Sequence, residues 1–232
     1  MRKTLVVLAV LALAALGVDR VAELLVERAA ADEARSRLEL TSTPDVEVGG
    51  FPFLTQVVMR RFEQVRVDAS EVPMGRLTAG RVGISATDLA VDPSLPLESR
   101  AARVRADVLL PYAELSRLAP ERVRLGSAGG GLLEVSAPVG IPGREVDAVA
   151  RSRVTLEAGM LVVRARSVSV GGTPLADTGL APRVRGTLDF SVPLDGLPAG
   201  LRLTGVRPGP EGLQVVAEGR GLALARVAAA WR

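Results

Sequence analysis

The 232-residue chain contains no cysteine and no histidine. The first absence excludes disulfides, thiolate nucleophiles, zinc ribbons and iron–sulfur clusters. The second excludes a Ser-His-Asp triad and any imidazole base or imidazole metal ligand. Only carboxylates, hydroxyls and guanidinium groups remain for chemistry. The composition therefore favours a binding protein over an enzyme, and we expect no catalytic residues, metal or cofactor.

Aromatic residues make up only 3% of the chain, whereas hydrophobic residues make up 48%. The core must therefore be built from valine, leucine and alanine. Charge is nearly balanced, with 29 basic and 26 acidic residues, and two of the basic ones, Arg2 and Lys3, lie at the extreme N-terminus. Because there are no lysine-rich runs and no platform of aromatic rings, the sequence predicts no nucleic-acid partner.

Residues 1–18 have the pattern of an export signal. Arg2 and Lys3 precede an uncharged stretch, 4–18, that is dominated by leucine, valine and alanine. The stretch is shorter than the roughly twenty residues of a comfortable bilayer span, so a cleaved signal peptide and a short retained anchor are both open. Positive charges before the stretch place the remainder of the chain outside the cytoplasm.

Hydrophobic periodicity divides the rest of the chain. Residues 19–40 are predicted to form an amphipathic helix, with Val21, Leu24, Leu25 and Ala29 on its apolar face. After Pro44, apolar and polar residues alternate with period two, which is typical of half-buried strands, and the phase changes near Thr87 and Asp88 as at a bulge. One of these strands is assigned to Val184, Leu188, Phe190 and Val192. Two short helices are predicted near 52–61 and 111–118, where proline suits the first helical turn.

These patterns predict a mainly β fold of the α+β class, a long curved antiparallel sheet preceded by an N-terminal helix. No low-complexity linker interrupts residues 41–232, so we expect them to form a single β-rich domain. A sheet with one apolar face needs helices, a second sheet or a ligand to cover that face. Three predicted helices are too few for some ten strands, which indicates a bound apolar ligand.

The most distinctive stretch is Gly-Gly-Phe-Pro-Phe-Leu at residues 49–54. Three of the four phenylalanines, Phe51, Phe53 and Phe62, lie close together in the sequence. Two interpretations are open: the rings line the mouth of an apolar groove, or they belong to a strand-to-helix turn that plugs the core. In the first case we predict a groove lined by Phe51, Phe53, Leu54, Val57, Phe62, Leu109, Leu110, Tyr112 and Leu115.

Together with a second run at residues 190–203 and Gly-Leu-Gln-Val at residues 212–215, this stretch resembles the actinobacterial LmeA-like phospholipid-binding proteins. The resemblance covers roughly residues 45–225. It implies an exported, non-enzymatic protein that binds phospholipid in the cell envelope or periplasmic space. It also implies a curved sheet like that of the tubular lipid-binding (TULIP, BPI-like) folds, and it implies no catalytic residues.

Arginines are the candidate headgroup ligands, because guanidinium groups bind phosphate bidentately. Arg60 and Arg61, next to the phenylalanine cluster, are predicted to contact an anionic phospholipid. Four further pairs occupy alternate positions and each projects from one sheet face, where they either contact headgroups or form a solvated surface. These pairs are Arg103 and Arg105, Arg151 and Arg153, Arg164 and Arg166, and Arg183 and Arg185.

The leading hypothesis is thus a phospholipid-binding protein that works at a membrane surface in lipid transport or envelope glycolipid assembly. A structural or interaction protein of the envelope with a filled core is the alternative. A glycan hydrolase is the third hypothesis, and it requires two facing carboxylates. The candidate pairs that are close in sequence are Asp88 and Asp92, Glu145 and Asp147, and Asp189 and Asp195, and turn and rim positions are favoured for all of them.

Overall fold

The structure, a computed structural model, describes residues 2–92, 99–141, 144–157, 159–175, 181–193 and 200–223. The chain is 58% strand and 24% helix. Its antiparallel strands are strongly curled into a half-barrel, and a helix precedes them. The predicted fold class is confirmed.

The described residues form four helices and twelve strands. In chain order they are α1 (Arg2–Arg37), β1 (Asp45–Gly49), α2 (Phe53–Met59), β2 (Arg61–Met74), β3 (Leu77–Ala90), β4 (Arg100–Pro111), α3 (Tyr112–Leu118), β5 (Arg124–Gly129), β6 (Leu132–Ile141), β7 (Arg144–Glu157), β8 (Met160–Val170), β9 (Thr173–Pro174), α4 (Ala181–Leu188), β10 (Phe190–Pro193), β11 (Arg202–Pro208) and β12 (Gly212–Ala223).

The strands hydrogen-bond in two antiparallel sets. The first sheet has the order β1-β2-β3-β4-β12-β11, so its strands come from both ends of the chain. The second sheet has the order β10-β8-β7-β6-β5, with β9 beside β8. The middle of the chain therefore supplies the second sheet, and the last two strands return to complete the first.

Alternation gives the first sheet one apolar and one charged face. Val82 on β3 lies between Ala69 on β2 and Val108 on β4. Farther along the same strands, Ser85 is opposite Arg105 on the other face. Since successive side chains of a strand point to opposite faces, the apolar rows share an inner face and the arginines share an outer face.

The main core lies between the two sheets. It combines inner-face residues of the first sheet with those of the second, and burial of this apolar surface is the chief stabilising term of the fold. Its most buried members include Ala79 and Leu213 from the first sheet, and Leu133, Val135, Ala148, Ala150 and Val163 from the second.

Both short helices predicted at prolines are present, and a further one was missed. α2 begins after Pro52, and α3 after Pro111. The strand assigned to residues 184–192 is wrong in its first half, because residues 181–188 form α4 and β10 begins only at Phe190. Val184 and Leu188 are both buried and lie four positions apart, which is the spacing of one helix face.

The predicted change of phase near Thr87 and Asp88 is confirmed, but the bulge inferred from it is wrong, because neither strand pairing shifts register there. Ala86 and Leu89 are both buried although an odd number of positions separates them. Asp88 adopts a left-handed backbone with φ 51°. The pairing of β3 with β4 keeps the same register on both sides of Asp88, so the change of phase needs no inserted residue.

Candidate functional site

α1 is one continuous helix that spans the predicted export segment and the predicted amphipathic segment. Among the described residues, no helix combines the length and hydropathy needed to cross a membrane. The expected apolar face of residues 19–40 does not face the protein: Val21, Leu24, Leu25 and Ala29 are all exposed. We call the solvent-facing side of α1 its exposed flank. Its large apolar side chains are Leu11, Leu13, Leu16, Val18, Val21, Leu24, Leu25 and Val26.

The side of α1 that contacts the body is partly acidic. Asp19 is only 4% exposed, and its carboxylate accepts hydrogen bonds from the backbone N–H groups of Phe53, at 3.0 Å, and Leu54, at 2.8 Å. The N-cap residue of α2, Pro52, makes no side-chain cap. Asp19 therefore supplies from another element the acceptor that the first turn of α2 lacks.

Glu27 makes a second contact of the same kind, two turns along α1. Its Oε1 accepts a hydrogen bond of 2.7 Å from the backbone N–H of Val48 on β1. β1 is the edge strand of the first sheet. α1 thus satisfies a donor that an uncovered edge leaves open.

The chain turns sharply at the glycine pair Gly49 and Gly50, between β1 and α2. Gly50 has φ 106°, and a Cβ atom there would lie 2.8 Å from Nε2 of Gln56 and 2.9 Å from Oε2 of Glu63. The buried Gln56 accepts a hydrogen bond of 2.8 Å at its Oε1 from the backbone N–H of Glu63. The turn thereby holds α2 against the start of β2.

The two interpretations of the phenylalanine cluster apply to different rings. Phe53 is only 1% exposed, and its ring centroid lies 6.2 Å from that of Phe62, so this ring plugs the core. Phe51 is 54% exposed, and the guanidinium carbon of Arg20 lies 5.5 Å from its ring centroid. One ring of the motif is thus structural, and the other faces solvent.

Exposed apolar side chains continue from Phe51 along α2. Val58 is 83% exposed and Met59 is 71% exposed. A contiguous apolar surface of this kind marks an interaction site more often than an accident of folding. We call this surface the apolar tip, and it consists of Phe51, Leu54, Val57, Val58 and Met59. The hydrogen bonds of Asp19 hold α1 against this tip.

The structure does not bring all the predicted groove residues together. Leu110, Tyr112 and Leu115 belong to the main core, and the Tyr112 hydroxyl donates a hydrogen bond of 2.7 Å to the Gly209 carbonyl. Burial raises the pKa of the Tyr112 hydroxyl. Leu109, the residue before Leu110, lies on the opposite, outer face of β4, beside Arg81.

Phe62 lies at the other end of the same inner face. It pairs with Leu89, and Leu89 pairs with Ala101 at the start of β4. At about 3.3 Å per residue along a strand, Leu110 is roughly 30 Å from Ala101. The predicted residues therefore occupy two ends of the first sheet, with Phe51, Phe53, Leu54, Val57 and Phe62 near one end.

A second apolar cluster surrounds Phe62. Its buried members are Ala86, Leu89, Ala101, Val104 and Leu222, and Phe62, Val65, Ile84, Val91 and Leu201 pack against them. Within the part of the chain that the structure describes, all of these residues belong to the first sheet or to segments that flank it. The main core differs, because the second sheet supplies its opposing layer.

The two predicted headgroup ligands follow α2 directly. Arg60 ends the helix with a left-handed backbone, φ 54°, and its backbone N–H donates to carbonyls of the last turn. Its side chain is exposed. Arg61 is also exposed, and its guanidinium lies 3.7 Å from the Asp88 carboxylate. Both cations border the apolar tip at solvent-accessible positions.

Sequence reasoning missed Asp19, Val58 and Met59. Asp19 is the first charge after the apolar N-terminal stretch, but nothing in its neighbourhood predicts a contact with residues more than thirty positions away. Val58 and Met59 form, with Val57, an apolar run that precedes two arginines. Such a run on a short helix was the available signal for an exposed apolar surface.

The family model described as LmeA-like phospholipid-binding matches residues 17–218, from α1 through most of β12. The chain belongs to this family. Its description supports lipid binding as the property of the domain, and the match includes α1 from Gly17 onward, the apolar tip and both sheets. Part of the second resemblance motif, residues 194–199, lies outside the described residues. No curated protein and no solved structure matches the chain significantly.

Proposed function

We propose that the protein is an exported phospholipid-binding protein of the cell envelope that holds acyl chains against the inner face of the first sheet. The apolar tip contacts the membrane surface, and lipid passes between the bilayer and the protein there. The role is lipid transport or envelope glycolipid assembly, without catalysis. The proposal rests on family membership and on a continuous apolar path through the described residues.

That path is the observation that carries the proposal. Phe51 and Leu54 are exposed at the tip, Phe53 packs on Phe62, and Phe62 packs on the second cluster. An acyl chain that follows this path leaves water along its whole length. The gain is about 0.8 kcal/mol for each buried CH₂ group, whatever the headgroup.

The second cluster suits an extended chain because several of its side chains are small. Ala86 pairs with Val104 and Ala101 pairs with Leu89, so each pair sets a small side chain beside a larger one. The strongly curled sheet provides a concave surface on which such a chain lies. The headgroup then remains near the tip, where Arg60 and Arg61 offer guanidinium groups to an anionic lipid.

Lipid extraction and mass spectrometry of the natively purified full-length protein test the proposal. We expect stoichiometric phospholipid in the wild type and a strong reduction in Val65→Trp, because the indole fills the space beside Phe62. Arg66→Trp is the matched control, since it places the same ring on the outer face of the same strand. Wild-type protein without stoichiometric lipid, or equal lipid in both variants, contradicts the proposal.

Export has its own test. A reporter enzyme fused after Arg232 should be active only outside the cytoplasm, because Arg2 and Lys3 precede the apolar stretch. Activity of the same fusion in the cytoplasm contradicts export. That result would not bear on lipid binding, which the extraction experiment tests separately.

The alternative function is a structural or interaction protein of the envelope with a filled core. Leu110, Tyr112 and Leu115 favour it, because these predicted groove residues pack in the core between the sheets. The extraction experiment separates the two functions. Stoichiometric lipid that Val65→Trp displaces supports the carrier, and its absence supports the alternative.

A further inference from the structure

The outer face of the first sheet carries a depression of about 740 Å³ at the level of β3, β4, β11 and β12. Four arginines line it: Arg103, Arg105, Arg202 and Arg220. The sequence pattern had paired only Arg103 with Arg105. β11 and β12 bring the other two arginines from more than ninety positions away in the chain.

Two of these arginines are placed against each other. Arg103 on β4 is directly opposite Arg220 on β12 in the pairing register. Like charges directly opposite on neighbouring strands are destabilising. Neither guanidinium has an ion pair or side-chain hydrogen bond within the described part of the chain. This pair raises the local positive potential, and the one acid among the described residues that line the depression is Glu218.

Two acids on the same face, Asp107 and Glu218, are already engaged by Arg105. Arg105 contacts Asp107 at 2.9 Å and Glu218 at 2.8 Å. Arg202 is opposite Glu218 in the register, and it too makes no ion pair with a described residue. The depression therefore keeps three guanidinium groups for a ligand.

A hydroxyl in the same depression also lacks a partner. The Oγ1 atom of Thr87 is buried and has no hydrogen-bond partner among the described residues. Thr87 is directly opposite Arg103 on β4. Buried polar atoms are normally satisfied, so an unpaired hydroxyl beside unpaired cations points to a polar ligand.

We propose that this depression binds a phosphate group, with Arg103 and Arg220 on either side of it and Arg202 at its edge. A phosphate offers several acceptor oxygens, and it suits guanidinium forks that approach from two strands. The bound anion removes the repulsion between Arg103 and Arg220. The site lies on the charged face, opposite the proposed acyl path and separate from Arg60 and Arg61.

The phosphate belongs either to a lipid headgroup or to a soluble phosphorylated molecule, and two probes separate these sources. The first is sodium pyrophosphate, titrated calorimetrically into the full-length protein at constant ionic strength. The second is vesicles of phosphatidylglycerol and phosphatidylcholine, compared by flotation with vesicles of phosphatidylcholine alone. Constant ionic strength matters because general screening weakens every exposed charge contact.

The test variant is Arg103→Gln, Arg220→Gln. We expect it to lose at least roughly tenfold in affinity for the probe that the wild type binds, as expected for removal of charge-assisted hydrogen bonds. Arg81→Gln, Arg207→Gln is the matched control, because it removes the same charge from the other end of the same face. The control should stay within about twofold of the wild type.

A charge reversal separates binding from folding. Arg220→Glu places a carboxylate opposite Arg103, so it should raise the melting temperature while it abolishes probe binding. A variant that is more stable and yet fails to bind has lost the site and not the fold.

Loss of pyrophosphate binding alone in the test variant assigns a soluble phosphate. Loss of anionic-vesicle binding alone assigns a headgroup, and loss of both assigns the shared phosphate group. Equal binding by the test variant and the wild type overturns the proposal, as does a wild type that binds neither probe. None of these outcomes depends on the lipid extracted from the acyl path.

Discussion

The core between the sheets and the α1–α2 region are built from the same residue types, valine, leucine and phenylalanine, but they place them differently. In the sheets, Leu133 and Val135 are almost fully buried. In α1 and at the apolar tip, Leu25 and Val58 are largely exposed. Hydrophobicity alone therefore does not separate the two regions.

The difference lies in the backbone hydrogen bonds that remain to be made where each element packs. A strand within a sheet bonds its backbone to its neighbours, so its side chains are free to pack by apolar contact. α1 instead meets an edge strand and a short helix, both of which have open N–H donors. Asp19 and Glu27 face those donors, and the apolar side of α1 is turned outward.

Truncation of buried and exposed leucines is the strongest test of this contrast. Leu133→Ala should lower the free energy of unfolding by about 2 to 5 kcal/mol, because it leaves a cavity between the sheets. Leu25→Ala on α1 should change it by no more than about 0.5 kcal/mol. Urea denaturation of both variants measures this, and equal losses would mean that the flank of α1 packs against the protein in solution.

The contact of α1 with α2 should depend on the Asp19 carboxylate. Asp19→Asn keeps the shape but cannot accept both backbone hydrogen bonds with a charged group, so we expect a loss of about 1 to 3 kcal/mol. Amide hydrogen exchange at Phe53 and Leu54 should accelerate. Asp32→Asn, which neutralises an exposed acid on the same helix, is the control. Identical exchange rates in the two variants would refute the role of Asp19 as a cap of α2.

Polar substitution at the apolar tip should separate binding from stability. Val58→Ser, Met59→Ser removes two exposed apolar side chains, so vesicle partitioning should weaken by about 2 to 3 kcal/mol. The unfolding midpoint should not change. Met160→Ser alters an exposed methionine on the second sheet and should leave partitioning unchanged, so a comparable effect there would argue against a role specific to the tip.

The arginines beside the tip should set headgroup preference. Arg60→Ala, Arg61→Ala should lose about 1 to 2 kcal/mol of its preference for anionic over neutral vesicles at low salt, while neutral-lipid binding persists. Flotation at low and high salt measures this. Because Arg60 has a left-handed backbone, Arg60→Gly, Arg61→Ala distinguishes lost charge from a strained helix end. An unchanged preference in both variants would assign the selectivity to other arginines.

The smallest effect concerns a surface pair formed by Glu145 on β7 and Arg122, which lies just before β5. The Arg122 guanidinium donates a hydrogen bond of 2.8 Å to Glu145, and this bond lowers the pKa of the Glu145 carboxyl below its ordinary 4.5. The contribution of the pair is therefore complete above pH 4.5 and is lost as the pH falls through the lowered pKa. The stability difference between wild type and Glu145→Gln, measured by thermal melting, should close over that acidic range. A difference that is independent of pH would contradict the pairing.

Local rules account for the parts of the fold that could be predicted. Alternation in β2, β3 and β4 needs no knowledge of partners, because a strand shows its two faces in its own sequence. Pro52 and Pro111 mark helix starts because their fixed φ suits the first turn. The α4 segment was missed because Val184 and Leu188 fit an even spacing as well as a helical one, and the strand pattern that follows them decided the assignment.

The candidate site could likewise be predicted only in part. The phenylalanine motif correctly grouped Phe53 with Phe62, whose ring centroids lie 6.2 Å apart, since they are near neighbours in sequence. The predicted groove also grouped that cluster with Leu110, Tyr112 and Leu115, although these residues lie at or beside the other end of the first sheet. Separation along β4 depends on register, which sequence spacing does not specify across strands.

The sequence by itself determined the β-rich class, through side-chain alternation, and the turn at Gly49 and Gly50, through the backbone freedom of glycine. It also determined the family, through short sequence motifs. Only the tertiary structure decided which face of α1 is buried and which arginines share a depression. Asp19 and Arg220 acquire their roles from elements that are distant in the sequence. The physical reason is that unsatisfied backbone donors and opposed charges arise only when strands and helices have been placed side by side.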